Sequence, residues 1–277
     1  LMRSLSAWNE SQLAKHRRRR VAAIFESGNE APFTYCKDAT AVYAAAPAPQ
    51  PVTFNNVSIR RGGVQLFRNL NLDVPAGSIV ALRGADGSGR TSLMRALMGD
   101  VAITAGEIKV GQQRIDNDAA AKTSPVRYVA PTPTIFRGTI IENLTLFGAI
   151  SAKTALSASK LIGLDSEVVR MPLGYDTLLK SAAGRDIPVA TSQRICIARA
   201  IATNPSVIVF DDANTLLDMT GERRFAEALV QLRGKMTVII ATHRPSLLRA
   251  ADAVYDIRNN ALERAHEYNA KQQAAAR

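Results

Sequence analysis

The stretch that decides the fold is GADGSGRTS, residues 84–92, which approaches the consensus of a phosphate-binding loop. That consensus is Gly, four residues of any type, Gly, Lys and then Ser or Thr. Gly84, Gly89 and Thr91 match it, whereas Arg90 stands where lysine is expected. A glycine-rich loop alone is equally compatible with a simple tight turn. The context favours the phosphate loop, because the apolar strand pattern GSIVALRG precedes it and a segment of helical period follows.

The residue types in this loop are suited to an anionic ligand. Glycines let the backbone approach phosphate closely, and successive N–H groups at a helix start form an anion-binding nest. Arg90 can neutralise phosphate, although its planar, forked guanidinium differs from the point charge of a lysine, and we expect weaker or rearranged binding. The predicted phosphate-binding residues are Gly84, Gly87, Ser88, Gly89, Arg90, Thr91 and Ser92.

Two acids farther along the chain complete the predicted site. The apolar run PSVIVF ends in Asp211 and Asp212, which is the pattern of a buried strand followed by carboxylates. The hydroxyl group of Thr91 is expected to bind Mg²⁺, with Asp211 orienting the ion through water. Asp212 is then in place to polarise an attacking water. The sequence therefore predicts a nucleoside triphosphate site with magnesium.

Composition and periodicity predict an α/β fold. The chain has 277 residues, of which 47% are hydrophobic, so it can bury a sizeable core and global disorder is excluded. Short strand patterns alternate with helical ones, which indicates a parallel sheet with helices on both faces. No apolar run reaches the roughly 18 residues of a membrane span. Cys36 and Cys196 lack metal-ligand spacing, so we expect reduced thiols in a cytoplasmic setting.

The formal net charge of +11 is compatible with nucleic acid, an anionic membrane surface or phosphorylated ligands. Part of this charge lies in the run KHRRRR, Lys15 to Arg20, within a predicted amphipathic helix over residues 2–26. Three interpretations of the run remain: a nucleic-acid contact, a basic collar at a membrane exit, and a solvated helix face. Residues 27–51 end in AAAPAPQP and have the composition of a linker.

The chain resembles the nucleotide-binding domain of an ATP-binding cassette (ABC) exporter over about residues 50–262. The resemblance rests on ordered blocks that include the glycine loop, IFRGTIIENL, LGYDT, QRICIARAIATNPSVIVFDDANTLLD and TVIIATHRPS. It implies a P-loop NTPase (RecA-like) core with an antiparallel β subdomain and an inserted α-helical subdomain at about residues 138–190. It also implies a basic helix at residues 1–26 that continues from a membrane domain, a cassette at residues 52–262, and a tail at residues 263–277.

Several positions depart from the family pattern. The adenine-stacking aromatic residue is replaced by Arg61, whose planar side chain can still stack on a base. The magnesium-contacting glutamine falls on Pro131, which has no side-chain ligand atom. The signature Leu-Ser-Gly-Gly-Gln falls on IPVAT, residues 187–191, with Pro188 in place of the serine. The catalytic glutamate falls on Asp212, whose carboxylate is one methylene shorter and would stop about 1 Å short of the water.

Other family positions are kept. His243 falls on the switch position that faces the γ-phosphate, although a single histidine after a strand is also common in a purely structural role. Asp211 and Asp218 also match the family pattern. The resemblance thus assigns Asp212 and His243 as catalytic candidates, and ATP and Mg²⁺ as cofactors. Because four catalytic elements depart together on a kept scaffold, we expect weak to moderate nucleotide binding and slow or absent hydrolysis.

Three function classes follow from these features. The first is the motor domain of an exporter, active or degenerate, at the cytoplasmic face of the inner or plasma membrane. Its expected partners are a membrane-spanning domain in the same full-length chain and a second cassette, paired head to tail as a heterodimer. The second class is a catalytically inactive structural or regulatory cassette that is paired with an active partner. The third is a cassette acting on nucleic acid, which only the net charge suggests, and we predict no nucleic-acid partner.

Overall fold

The computed structural model describes residues 47–115, 126–179 and 187–265. The predicted basic helix and most of the predicted linker lie outside these residues, as do most of the predicted tail and part of the predicted helical subdomain. The described end of the linker is anchored to the domain, because the Thr237 hydroxyl group donates to the Gln50 carbonyl at 2.6 Å.

The described residues form strands and helices in mixed order along the chain. The strands are β1 (Val52–Arg61), β2 (Val64–Val74), β3 (Ile79–Gly84), β4 (Ala105–Val110), β5 (Gln113–Arg114), β6 (Val126–Val129), β7 (Gly138–Thr139), β8 (Leu178–Leu179), β9 (Val207–Asp211), β10 (Thr237–Ala241), β11 (Ala253–Arg258) and β12 (Ala261–Arg264). The helices are α1 (Arg90–Leu97), α2 (Ile140–Leu144), α3 (Ala152–Leu161), α4 (Asp165–Val168), α5 (Val189–Ala202), α6 (Met219–Leu232) and α7 (Pro245–Ala250), with a 3₁₀ turn at Gly174–Asp176.

Two sheets organise the molecule. The six-stranded sheet has the order β12-β11-β3-β10-β9-β6, and all its neighbours are parallel except the antiparallel pair of β11 and β12. The four-stranded sheet has the order β2-β1-β4-β5 and is antiparallel throughout. A further short pair, β7 and β8, joins the two ends of a helical insertion. The predicted α/β P-loop NTPase fold with an antiparallel subdomain is confirmed.

The central sheet is buried on both faces. Along β3, Ile79 and Ala81 pack in the cluster that contains the helical side of the molecule. The alternate residues Val80 and Leu82 pack in a second cluster with the antiparallel sheet and α1. Because successive side chains in a strand point to opposite faces, a strand covered on both sides must be apolar at every position. This explains the unbroken apolar run that the sequence shows before the glycine loop.

The helical insertion is stabilised by caps and by side chains that bind backbone. Helix α2 begins with a capping box in which the Thr139 hydroxyl accepts from the Glu142 N–H, and the Glu142 carboxylate accepts from the Thr139 N–H. The buried Asn143 side chain binds both the N–H and the carbonyl of Phe136 at 2.8 Å.

Strand β12 continues through Arg264, two residues past the predicted end of the cassette. Among the described residues, no helix has the length and apolarity needed to cross a bilayer.

Candidate functional site

The glycine loop connects β3 to α1 and takes a conformation that glycine favours. Gly87 has φ of 79° and Gly89 has φ of 97°, both in the left-handed region. A Cβ atom at Gly89 would lie 2.8 Å from a ring carbon of Phe67, so β2 packs directly beneath the loop. A Cβ atom at Gly87 would meet nothing within 4 Å, so this side of the loop is open to a ligand.

Helix α1 leaves its first N–H groups for an anion. Its N-cap is Gly89, which supplies no side-chain hydrogen bond, and its first turn contains no acidic residue. The exposed Thr91 stands in this first turn, and Ser92 beside it is buried. The buried hydroxyl group of Ser88 has no hydrogen-bond partner among the described residues. Such an arrangement suits a phosphate group, which accepts from N–H and hydroxyl donors.

Three neighbouring strands bring the remaining site residues together. Strand β10 pairs in parallel with both β3 and β9, with Ala241 opposite Leu82 on one side and Asp211 on the other. The carboxyl ends of these strands therefore meet at one edge of the sheet, where open α/β sheets bind their ligands. Arg90, Asp212 and His243 each follow one of the three strands and converge there.

Arg90 binds the protein's own acids and histidine. Its guanidinium group lies 3.0 Å from a carboxylate oxygen of Asp212 and 3.3 Å from a carboxylate oxygen of Asp86. The Arg90 Nη1 atom lies 2.7 Å from Nε2 of His243. Only 7% of the Arg90 side chain is exposed, whereas Asp86 is fully exposed. A lysine at this position would present one compact ammonium group, so the forked shape of arginine is what allows several simultaneous contacts.

The Arg90 contact determines the hydrogen-bond role of the His243 Nε2 atom. Arginine carries only donors, so Nε2 of His243 must be the acceptor in this contact. A histidine that binds a phosphate oxygen through Nε2 must instead donate from that nitrogen. The structure thus shows His243 at the predicted edge of the sheet and in contact with Arg90.

Asp211 is completely buried and is bound by an aromatic hydroxyl group. The Tyr128 hydroxyl donates to Asp211 Oδ2 at 2.6 Å, while Asp211 Oδ1 has no hydrogen-bond partner among the described residues. Burial, together with this hydrogen bond, raises the pKa of Tyr128 well above its usual value, so the hydroxyl group remains a donor. The free, buried Oδ1 and the hydroxyl group of Thr91 are hard oxygen donors of the kind that Mg²⁺ binds directly or through water.

Asp212 has an unusual backbone conformation and a perturbed carboxyl group. Its φ of 47° lies in the left-handed region, which is uncommon for a non-glycine residue, and its N–H donates to the Ala241 carbonyl at 3.3 Å. Burial raises the pKa of Asp212, the charge of Asp211 adds to this effect, and Arg90 acts in the opposite direction. The structure therefore pairs the predicted water-polarising carboxylate with a cation.

Pro131 lies in a segment that the signature helix holds in place. Gln193 of α5 donates to the Ala130 carbonyl at 3.2 Å, and Arg199 donates to the Thr134 carbonyl at 2.8 Å. The Arg199 guanidinium also lies 4.7 Å from the ring centroid of Phe136. The backbone of this segment is thus supported, although Pro131 offers no side-chain ligand at the glutamine position.

The signature position forms the start of α5 but presents apolar side chains. Pro188 is the N-cap residue and makes no side-chain cap, and Val189 is 48% exposed. The hydroxyl group of Thr191 binds Glu167 at 3.0 Å and is buried, so it faces the inside of the domain. Neither exposed residue supplies the hydroxyl donor that serine gives at this position in the family pattern.

The structure also places the predicted residues Arg61 and Asp218. Arg61 lies at the exposed end of β1, opposite Val64 in the hairpin whose second strand carries Phe67. Asp218 caps α6 by accepting from the Gly221 N–H at 2.8 Å and also pairs with the buried Arg194. Arg194 makes a second ion pair with Glu167, so Asp218 is connected to α5 through Arg194.

Sequence reasoning missed Tyr128, Phe67 and Arg194. Tyr128 is a residue of a short strand, and nothing in the order of the sequence shows that β6 lies beside β9. Phe67 lies in a strand, and nothing in the sequence shows that this strand packs beneath the glycine loop. Arg194 belongs to the QRICIARA block, where the family pattern could have drawn attention to it.

Comparison with known proteins identifies the family. The ABC transporter family model matches residues 67–215, more than half of the chain. The chain belongs to the ABC transporter family. It is 35% identical over 208 residues to the transport/processing ATP-binding protein ComA of Streptococcus pneumoniae, covering 73% of this chain and 28% of that protein. It is 29% identical over 208 residues to the ATP-dependent lipid A-core flippase of Syntrophus aciditrophicus, covering 74% of this chain and 34% of the flippase.

A solved structure shows the same fold. A bacterial Atm1-family ABC exporter with ATP bound matches with a TM-score of 0.72 and 24% sequence identity, over 83% of this chain and 42% of the exporter chain. The predicted resemblance to the nucleotide-binding domain of an ABC exporter is confirmed. This chain spans about a third of the length of these curated relatives. The degenerate character of its motifs stays a prediction.

Proposed function

We propose that this chain is the ATP-binding domain of an ABC export transporter and that its own site binds nucleotide but hydrolyses it slowly or not at all. The ligand is ATP, held by residues 84–92, with the Arg61 side chain stacked on the adenine. When Mg²⁺ is bound, it supplies charge neutralisation at the phosphates. Thr91 and Asp211 are the residues of this chain that would hold it, and their oxygen donors fit the ion.

The observation that carries the proposal is the ion pair between Arg90 and Asp212 at 3.0 Å. A general base must direct a carboxylate oxygen at the attacking water. The carboxylate of Asp212 instead faces the cation that replaces the consensus lysine, and its side chain is one methylene shorter than the consensus glutamate. Pro131 removes a further magnesium contact, so three losses on one site act against hydrolysis.

The signature position supports a pairing with a different cassette. In this family each ATP is sandwiched between the loop of one cassette and the signature of the other. Two identical chains would combine the altered loop with Pro188 and Val189 in both sites. A heterodimer would instead join this chain's loop to an intact signature, and it would leave one site with a partner's own base. We therefore propose a head-to-tail heterodimer, with a membrane-spanning domain attached to the cassette at the cytoplasmic face of the membrane.

Steady-state ATP turnover tests the proposal. The unmutated chain should show turnover at or near background, while calorimetry with Mg²⁺ and ATP detects binding. The double variant Arg90→Lys, Asp212→Glu should gain turnover, because it restores the compact cation and the longer carboxylate, although the gain stays small while Pro188 and Val189 remain at the signature position. Brisk turnover by the unmutated chain would refute the slow-hydrolysis proposal. A folded chain that binds no nucleotide would refute ATP binding and select a purely structural cassette.

A further inference from the structure

The contacts of Arg90 lead beyond weak hydrolysis to a control on ligand binding. Its guanidinium group contacts Asp212 at 3.0 Å and His243 at 2.7 Å, and 93% of the side chain is shielded from solvent, since 7% is exposed. The charge of Arg90 is therefore already paired within the protein.

The same contact gives Nε2 of His243 the hydrogen-bond role opposite to the one that a phosphate needs. His243 accepts from Arg90 through Nε2, whereas a bound phosphate oxygen requires a donor at this nitrogen. An arriving phosphate must therefore separate Arg90 from both groups, after which Nε2 can carry a proton. In the structure Arg90 thus contacts both Asp212 and His243.

We propose that Asp212 acts as an internal competitor of the terminal phosphate for Arg90, so that the Arg90–Asp212–His243 cluster sets the affinity and must open before nucleotide binds fully. The proposal rests on the proposed nucleotide binding and gives Asp212 a role in affinity instead of proton transfer. Two other acids face the guanidinium group or its partner: exposed Asp86 at 3.3 Å, and buried Asp211, which precedes Asp212. Asp86 can move aside into water, whereas the backbone of Asp212 is fixed by its bond to Ala241.

Calorimetric binding of a non-hydrolysable ATP analogue tests the competition. Asp212→Asn keeps the shape of the side chain and removes its charge, so Arg90 is released for the ligand. We expect binding about fivefold tighter than in the unmutated protein, which corresponds to about 1 kcal/mol. Asp100→Asn is the matched control, because Asp100 lies beyond the far end of α1 and is 57% exposed. It removes the same charge and should leave the affinity unchanged.

A second background separates competition from simple repulsion between Asp212 and phosphate. If Asp212 competes for Arg90, the gain from Asp212→Asn disappears when Arg90 is already replaced in Arg90→Gln. A gain of the same size in the Arg90→Gln background shows repulsion alone and overturns the proposal. Unchanged or weaker binding by Asp212→Asn in the presence of Arg90 also overturns it, while nucleotide binding by the unmutated protein would still support the proposed function.

A further experiment tests the contact between Arg90 and His243 without nucleotide. Nitrogen NMR of the ligand-free protein reports which imidazole nitrogen carries the proton, and the chain has only 3 histidines, so the His243 signal is assignable with His243→Gln. We expect Nε2 to be an acceptor in the unmutated protein, and a shift toward the ordinary tautomer mixture in Arg90→Gln. An Nε2 signal that is the same in both proteins overturns the cluster. If no variant binds nucleotide, the proposed function and the competition both fail, whatever this experiment shows.

Discussion

Replacing Tyr128 with phenylalanine tests whether its hydroxyl group stabilises the buried Asp211. The substitution removes the 2.6 Å hydrogen bond to Oδ2 and leaves the carboxylate, whose Oδ1 already lacks a partner, without a donor among the described residues. A hydrogen bond to a charged group contributes about 1.5–3 kcal/mol, and Tyr128 is itself only partly buried, so water can replace part of it. We expect a loss of about 1.5 kcal/mol of unfolding free energy.

Thermal unfolding monitored by circular dichroism measures this loss. For a domain of this size, about 1.5 kcal/mol lowers the Tm by roughly 3–6 °C. Tyr255→Phe is the control, because Tyr255 is also partly buried in the same sheet and its hydroxyl group has no partner among the described residues. That change should stay within about 0.5 kcal/mol of the unmutated protein.

A double-mutant cycle identifies Asp211 as the partner. In an Asp211→Asn background the tyrosine donates to a neutral oxygen, and such a bond is about half as strong as one to a charged group. Tyr128→Phe should therefore cost about half as much there as it does beside Asp211. Equal costs in the two backgrounds, or a Tyr128→Phe protein as stable as Tyr255→Phe, would refute the reasoning.

Two further predictions concern the loop and the sheet edge. Gly89→Ala should lose about 2–4 kcal/mol in urea unfolding, because its Cβ would lie 2.8 Å from Phe67 at a φ of 97°, whereas Gly87→Ala, with open space above it, should lose about 1 kcal/mol. Similar losses in the two variants would exclude the ring contact as the cause. Two hydrogen bonds from Arg83, at 2.5 and 2.8 Å, lower the pKa of Asp256, so its stabilisation is present above about pH 4 and is lost as the pH falls through the lowered value. Asp256→Asn should therefore be about 1–2 kcal/mol less stable at neutral pH, with a gap that closes in acid, and a pH-independent gap would contradict this assignment.

The sequence was sufficient to predict the fold. The predicted site residues Arg90, Asp212 and His243 lie together at one edge of the sheet, and their function stays a prediction. The unbroken apolar runs before Gly84 and Asp211 follow from strands covered on both faces, and the glycine loop between strand and helix indicated the ligand edge. The contact between Arg90 and Asp212 could not be predicted, because it depends on β3 and β9 lying on either side of β10. Tyr128 was missed for the same reason, since the order of strands in a sheet does not follow from their order in the chain.

The two altered residues of the site are explained together better than separately. Alone, Arg90 is a longer cation than lysine, and Asp212 is a shorter acid than glutamate. In the structure the forked cation meets the short carboxylate at 3.0 Å, so the two changes complement each other. A working site leaves such groups unpaired for ligand and water, at a cost in stability. Here one acid contacts Arg90 and the other accepts from Tyr128, an arrangement that agrees with the slow hydrolysis proposed above.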